Sequence, residues 1–366
     1  MKLSISREAL LKALQAVIGV VERRQTMPIL ANVLLVARNG GLTVTATDLE
    51  VELVADAEAG KIEVPGEITV PGRKLLDITR ALAEAAQLGL QLDGDRLVIK
   101  AGRSRFVLST LPTADFPVIE SIDASSRLKL AQKDVARLLD KTQFSMAQQD
   151  VRYYLNGLLL ETSKKCVRAV ATDGHRLALC DLAIDGQDVA AGQVIVPRKG
   201  VMELHRLLGS GPEVELAIGS NHIRAQFDGI RFTSKLIDGR FPDYERVIPS
   251  SEAATLRADR DVLRAALQRA AILANEKFRG VRLELAKGTL KIQANNPDQE
   301  EAREEIELDY AGPAMEIGFN VTYLLDALAA VDEDTVEIDF VDPASSCLIR
   351  SPQASQSKYV VMPMRL

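Results

Sequence analysis

The chain has 366 residues, 47% hydrophobic and 26% charged, which excludes a disordered or fibrous protein and exceeds what one hydrophobic core can fill. Two or three domains are expected, and with aromatics at 4% and no Trp their cores must rest on Leu, Val, Ile and Ala. The formal charge of −6 argues against a nucleic-acid partner only until its location is read: the segment 298–309 carries seven acids and one base, so the rest of the chain is balanced and can still present a basic face.

From the N-terminus, Met1-Lys2-Leu3-Ser4-Ile5-Ser6-Arg7 alternates as a strand does, without the apolar stretch of a secretion signal, and folding is expected to begin at once. Leu10, Leu11, Leu14, Val17 and Ile18 then fall at helical spacing, Leu42 to Ala46 alternates as a strand ending in the turn Ala46-Thr47-Asp48, and Pro71 opens a second helix through Leu75, Leu76 and Leu82. The same succession returns with Val135, Leu138 and Leu139, then Val167 to Ala171 and the turn Ala171-Thr172-Asp173, then Pro197 and Val201, Leu204, Leu207 and Leu208. It returns again with Val262, Leu263, Ala266 and Leu267, then Gly288 to Ala294 and Ala294-Asn295-Asn296, then Gly318-Phe319-Asn320-Val321 and Leu324, Leu325 and Leu328. Matching markers lie about 125 residues apart, so three units of about 122 residues account for the chain. Each reads as two helices packed on antiparallel sheet, an α+β fold. The domains are expected at 1–122, 127–248 and 253–366, with linkers at Glu120 to Ser126 and Pro249 to Ala254.

Charged residues on these helices are mostly basic: Arg73, Lys74 and Arg80; Lys133, Arg137 and Lys141; Arg198, Lys199 and Arg206; Arg260, Arg264 and Arg269. If the helices lined one side, that side would be positive. Catalysis finds no support, since there is no phosphate-binding G-x-x-x-x-G-K-[ST] loop, Gly209-Ser210-Gly211 lacks the third glycine of a dinucleotide turn, and His175 beside Asp173 has no nucleophile near it. No cofactor or metal is expected. Cys166, Cys180 and Cys347 lack zinc or disulfide-framework spacing and read as reduced thiols of a cytoplasmic protein. Apolar runs such as Val33 to Ala37 fall far short of the ~18–20 residues that cross a bilayer, so no membrane role is expected.

Long blocks carry a resemblance: Gln143 to Ala147, Asp150 to Gly157, Ala171 to Leu177, Ile195 to Gly200, Asn275 to Arg282 and the terminal Tyr359 to Leu366, clustered in order along the chain. Together they resemble the β subunit of the bacterial replicative DNA polymerase, the sliding-clamp family, end to end. The resemblance implies three clamp-type domains per chain and a homodimeric ring that encircles duplex DNA without sequence preference. It also implies a processivity factor in DNA replication, tethering the replicative polymerase, the clamp loader and repair proteins through short linear peptides. A peptide-binding scaffold that never encircles DNA is the alternative.

Residue by residue, the resemblance assigns a partner-peptide groove to Leu155, Thr172, Gly174, His175, Arg176, Leu177, Pro242, Arg246, Val247, Asn320, Tyr323, Ser346, Val360, Val361, Met362, Pro363, Met364 and Arg365. Methionines suit such a groove because they repack around different ligands. DNA-facing positions are Arg23, Arg24, Arg73, Gln148, Gln149, Arg152, Tyr153, Tyr154, Lys199, Phe278 and Arg279, although Tyr153 alternates with Leu155 and reads equally well as a strand core residue. The dimer interface is assigned to Lys74, Arg96, Arg103, Arg105, Phe106 and Leu108 against Ile272, Leu273, Asp298, Glu300, Glu301 and Glu304. Its apolar patch is expected to dominate affinity while the charges set register.

Overall fold

The computed structural model describes residues 1–21, 27–38, 40–119, 122–186, 189–249, 254–353 and 356–365. Among them six α-helices form where apolar periodicity placed them: α1 Arg7–Val17, α2 Gly72–Ala81, α3 Gln132–Asp140, α4 Arg198–Leu207, α5 Arg260–Ala271 and α6 Val321–Ala330. Three begin on a side-chain cap: Ser6 accepts from the Ala9 amide at 3.2 Å, Asp259 from Val262 at 2.9 Å and Asn320 from Thr322 at 2.9 Å. Pro71 and Pro197, expected inside a first turn, instead end the strands Gly66–Pro71 and Gly192–Pro197, one residue ahead of α2 and α4. Val262, expected in the core, is 52% exposed, because the stripe of α5 runs through Leu263, Ala266, Leu267 and Ala270.

By contact density the chain divides into two units, residues 1–135 with 199–236 and residues 136–198 with 237–366. The boundary cuts through the middle repeat because its strands are shared with both neighbours. In the first unit an eight-stranded sheet joins Ile230–Lys235 to Val51–Glu58, with Ile230 opposite Ala55 and Ser234 opposite Val51. A five-stranded sheet of the same unit ends on the edge strand Ser104–Ser109. In the second unit a nine-stranded sheet joins Arg176–Ala183 to the terminal strand Ser357–Val361, with Arg176 opposite Val361 and Cys180 opposite Ser357. A four-stranded sheet there ends on the edge strand Glu301–Glu307. Every pairing is antiparallel, so the fold is α+β with helices against antiparallel sheet. Strand Ala124–Leu130 begins inside the expected first linker, where it pairs with Val214–Gly219.

Many helix cations are consumed by helix ends. Arg7 donates to the carbonyls of Thr79 and Arg80 at the end of α2, and Arg260 does the same to Val331 and Asp332 after α6. Arg73 donates to Val21, Arg206 to Gln15 and Ala16 at the end of α1, and Lys141 to Ala330 at the end of α6. Each places positive charge where orphan carbonyls and the negative end of the helix dipole converge. Lys74, Arg80, Lys133 and Arg264 are exposed and make no hydrogen bond or ion pair among the described residues. The basic surface of the helices is therefore thinner than the sequence suggests.

Candidate functional site

The second unit brings the end of the hairpin 166–183 against the terminal strand Ser357–Val361. Asp173 makes the turn: its Oδ1 accepts the amides of His175 at 2.9 Å and Arg176 at 3.0 Å. Gly174 follows Asp173 at φ 88°, and a Cβ there would lie 2.9 Å from the Arg152 guanidinium. The Thr172 hydroxyl donates to the Arg176 carbonyl at 2.6 Å. The terminal strand lies alongside, and past its end the Met362 amide donates to the His175 carbonyl at 2.9 Å. Beneath lies a cluster of Leu159, Val170, Leu177, Leu179, Ile195, Leu348 and Val360, with Tyr154 and Val247 packed against it half-buried.

Two polar networks hold the walls. The Ser346 hydroxyl donates to the Val247 carbonyl at 3.1 Å, fixing the turn Tyr244–Val247. Tyr244 donates to Glu161 and accepts from Arg168 at 3.1 Å, while Arg168 grips Asp181 at 2.6 and 2.9 Å. Burial, reinforced by Glu161, pushes the Tyr244 hydroxyl up to about 12. On the other side Arg176 binds Asp173 at 3.1 Å, Asp326 at 2.5 Å and the Phe144 carbonyl at 2.7 Å, and its guanidinium lies 4.5 Å from the Tyr323 ring centroid. Burial, then Asp173, raises the Tyr323 hydroxyl. Arg176 is thus a clamped wall, held in place by three acceptors of its own chain.

Leu177, Val360 and Val247 share the apolar cluster beneath the turn, Thr172, Gly174, exposed His175, Arg176, Ser346 and Met362 lie beside it through the hydrogen bonds above, Val361 and Tyr323 pack with the unit's other apolar cluster, and Leu155 is buried. Pro242 and Arg246 are exposed, and Arg246 pairs with Asp243 at 2.6 Å. Asn320 serves as the α6 cap, with its Nδ2 donating to the Phe278 carbonyl at 3.3 Å. Pro363 is half-buried, and past it the Met364 amide donates to Gly318 at 2.8 Å, so Met364 and Arg365 line a different depression beside Phe278. Nothing local marks a role for Phe144, Glu161, Arg168, Tyr244 or Asp326; the block Gln143 to Ala147 is the one available signal, and it points to the segment without saying what it does. No group of three or more His, Cys, Asp or Glu among the described residues could hold a metal ion.

Three family models match in succession: the N-terminal domain of the DNA polymerase III beta subunit over residues 1–120, its central domain over 129–243 and its C-terminal domain over 245–365. The chain belongs to the DNA polymerase III β-subunit family. The beta sliding clamp of Pseudomonas putida is 55% identical and that of Escherichia coli K12 52% identical, each over 100% of both chains. The crystal structure of the DNA polymerase III subunit beta from Pseudomonas aeruginosa superposes with a TM-score of 0.97 at 52% identity, again over 100% of both chains. That from Caulobacter crescentus gives 0.96 at 45%, with the same full coverage. The fold is three β-clamp domains, and the function is that of a DNA sliding clamp.

Of the clamp residues assigned to DNA, Arg23 and Arg24 lie outside the described residues. In the second unit Gln148, Gln149 and Arg152 are exposed on one loop, with Gln149 at φ 57°. Tyr153 is 57% exposed on a 3₁₀ turn, so the strand-core alternative fails: alternation with Leu155 came from a turn. Its ring meets Tyr154 edge-on, centroids 5.7 Å apart. The Arg152 guanidinium holds the Asp150 carboxyl down to about 2. Phe278 is 55% exposed beside Arg279, which is at φ 49°. In the first unit the Arg73 guanidinium donates to the Val21 carbonyl and keeps its charge, whereas the Lys199 ammonium is paired with Asp48.

Of the interface assignments, Lys74, Arg96, Arg103 and Arg105 are exposed in the first unit and Phe106 is half-buried. Leu108 faces inward at 8% exposure opposite Leu97, leaving its neighbour Val107 outward at 37%. In the second unit Ile272 is 77% exposed just past α5, and Leu273 is half-buried. Asp298, Glu300 and Glu301 are exposed, whereas Glu304 is gripped by Arg269 of its own chain at 2.6 and 2.8 Å.

Proposed function

We propose that two copies of this chain close head to tail into a ring around duplex DNA, with strand Ser104–Ser109 of each beside strand Glu301–Glu307 of the other. The observation that carries this reading is the pair of unpaired sheet edges of opposite charge. Strand edges left open invite pairing, and here one edge carries Arg105, with Arg103 just before it, while the other carries Glu301, Glu305 and Glu307 against the single base Arg303. A two-fold axis makes such a contact twice. Ile272, with most of its side chain in water, supplies apolar area that exposed ion pairs, worth about 0–1 kcal/mol each, cannot. The divisions near residues 122–127 and 248–253 are then the joints between clamp domains.

In this reading the loop of Gln148, Gln149, Arg152, Tyr153 and Tyr154, with Arg23, Arg24 and the Phe278-Arg279 corner, meets DNA. Diffuse contact with phosphate and stacking on exposed bases attract the duplex without fixing a sequence. The groove around Leu177 and Val360 takes short apolar peptides from the polymerase, and by the same chemistry from the clamp loader and repair proteins. The protein acts as a tether and carries out no reaction of its own. The deciding experiment is retention on DNA: the protein should stay on nicked circular DNA and slide off after linearisation. Equal retention on both forms would sink the ring.

A further inference from the structure

Met364 and Arg365 line a second groove, with a volume of about 620 Å³, on the face of the four-stranded sheet away from the core. Its floor is a cross-strand row, Arg282 opposite Gln293 and Gln293 opposite Arg303, while the intervening Val281, Leu283 and Ile292 point into the core. Phe278 and Met364 form apolar sides. The lining holds three arginines and one carboxylate, Glu301, which Arg303 already binds at 3.1 Å. Arg282 is held by Glu316 at 2.9 Å, and a guanidinium so engaged keeps further N–H donors unused. Neither Arg365 nor the Asn295 side chain makes a hydrogen bond or ion pair among the described residues.

The two grooves share the chain end as a wall. The Met362 amide is fixed on His175 beside the first groove and the Met364 amide on Gly318 beside the second. Two extended residues span about 7 Å, so a ligand leaving the first groove reaches the second within a few residues. We propose that this second groove holds an acidic flank of the same partner segment whose apolar core fills the first groove, an inference that rests on the peptide reading of that first groove. The unused N–H donors of the lining arginines select carboxylates and the Asn295 amide suits a peptide backbone, while the Gln293 amide already donates to Glu284 at 2.8 Å. A long polyanion such as DNA is disfavoured by Asp298, Glu300 and Glu305 on the adjoining turn and edge strand.

The test uses the full chain and a polymerase-derived groove peptide extended at either end by four glutamates or four glutamines. At low salt the wild type should bind one glutamate-extended form about fivefold more tightly than its glutamine counterpart, and lose the preference at high salt. Arg282→Ser with Arg303→Ser should abolish the preference and leave the glutamine forms bound as before. A fluorophore on Asn295→Cys should respond to the glutamate form alone. Equal affinities in the wild type, or a preference that survives the double substitution, would overturn the proposal. Failure of every peptide to bind the wild type would overturn the first-groove reading and this one with it.

Discussion

Asp48, Asp173 and Asn296 perform the same act in three repeats. Asp48 accepts the amides of Glu50 and Val51, Asp173 those of His175 and Arg176, and Asn296 those of Asp298 and Glu300. The residue after the two aspartates is forced to positive φ, 78° at Leu49 and 88° at Gly174. Gly174→Ala should cost about 1–2 kcal/mol from backbone strain, read as a lower urea midpoint. Arg152 can swing aside, and Asp150 should then titrate above its present value of about 2 in an NMR titration. Tyr244 supplies a pH signature with a definite sign. Its folded value is raised to about 12 from an unfolded value near 10, so the folded state keeps its proton when the unfolded state has released it. Stability from this group is complete below pH 10 and declines as pH rises from about 10 to about 12; Tyr244→Phe should flatten that part of the curve, measured by urea unfolding at stepped pH.

Helices tie to one another through cations set on foreign carbonyls. Arg7 on the end of α2 and Arg260 on the end of α6 are the same contact in the first and third repeats, and in the second Gln132 takes the place, accepting from Gly209 at 3.0 Å and donating to Glu213. Arg7→Met should lower stability by about 1 kcal/mol and speed hydrogen exchange at the end of α2, while leaving α5 and α6 unaffected. These ties explain what was and was not legible. All six helices followed from apolar spacing, because burial sets that period. What Arg73, Lys141 and Arg206 do could not be read, since their acceptors stand 52 to 190 residues away and a carbonyl has no sequence signature. Leu108 misled for a related reason: its hydrophobicity was plain, but which face of the strand it occupied depended on pairing with Leu97. The proposed groove is marked only by long matching blocks, whereas Glu161, Arg168 and Asp326 beside it are single charged residues with nothing local to mark them.

At the scale of the whole molecule the proposed assembly turns on few side chains. Ile272→Ala with Leu273→Ala should leave single chains in sedimentation velocity at concentrations where the wild type is dimeric; a persistent dimer would remove these residues from the joint. Deleting residues 362–366 should weaken a polymerase-derived peptide at least tenfold by calorimetry, roughly 1.4 kcal/mol, without altering the dimer. The strand sharing that splits the middle repeat has a practical consequence. Severing the polypeptide at the tidy periodicity of its three repeats would strip Val51–Glu58 of Ile230–Lys235 on one side and Arg176–Ala183 of Ser357–Val361 on the other. Each excised module would carry a raw, adhesive margin and should precipitate, whereas scissions that respect the fused sheets stand a better chance of yielding well-behaved fragments.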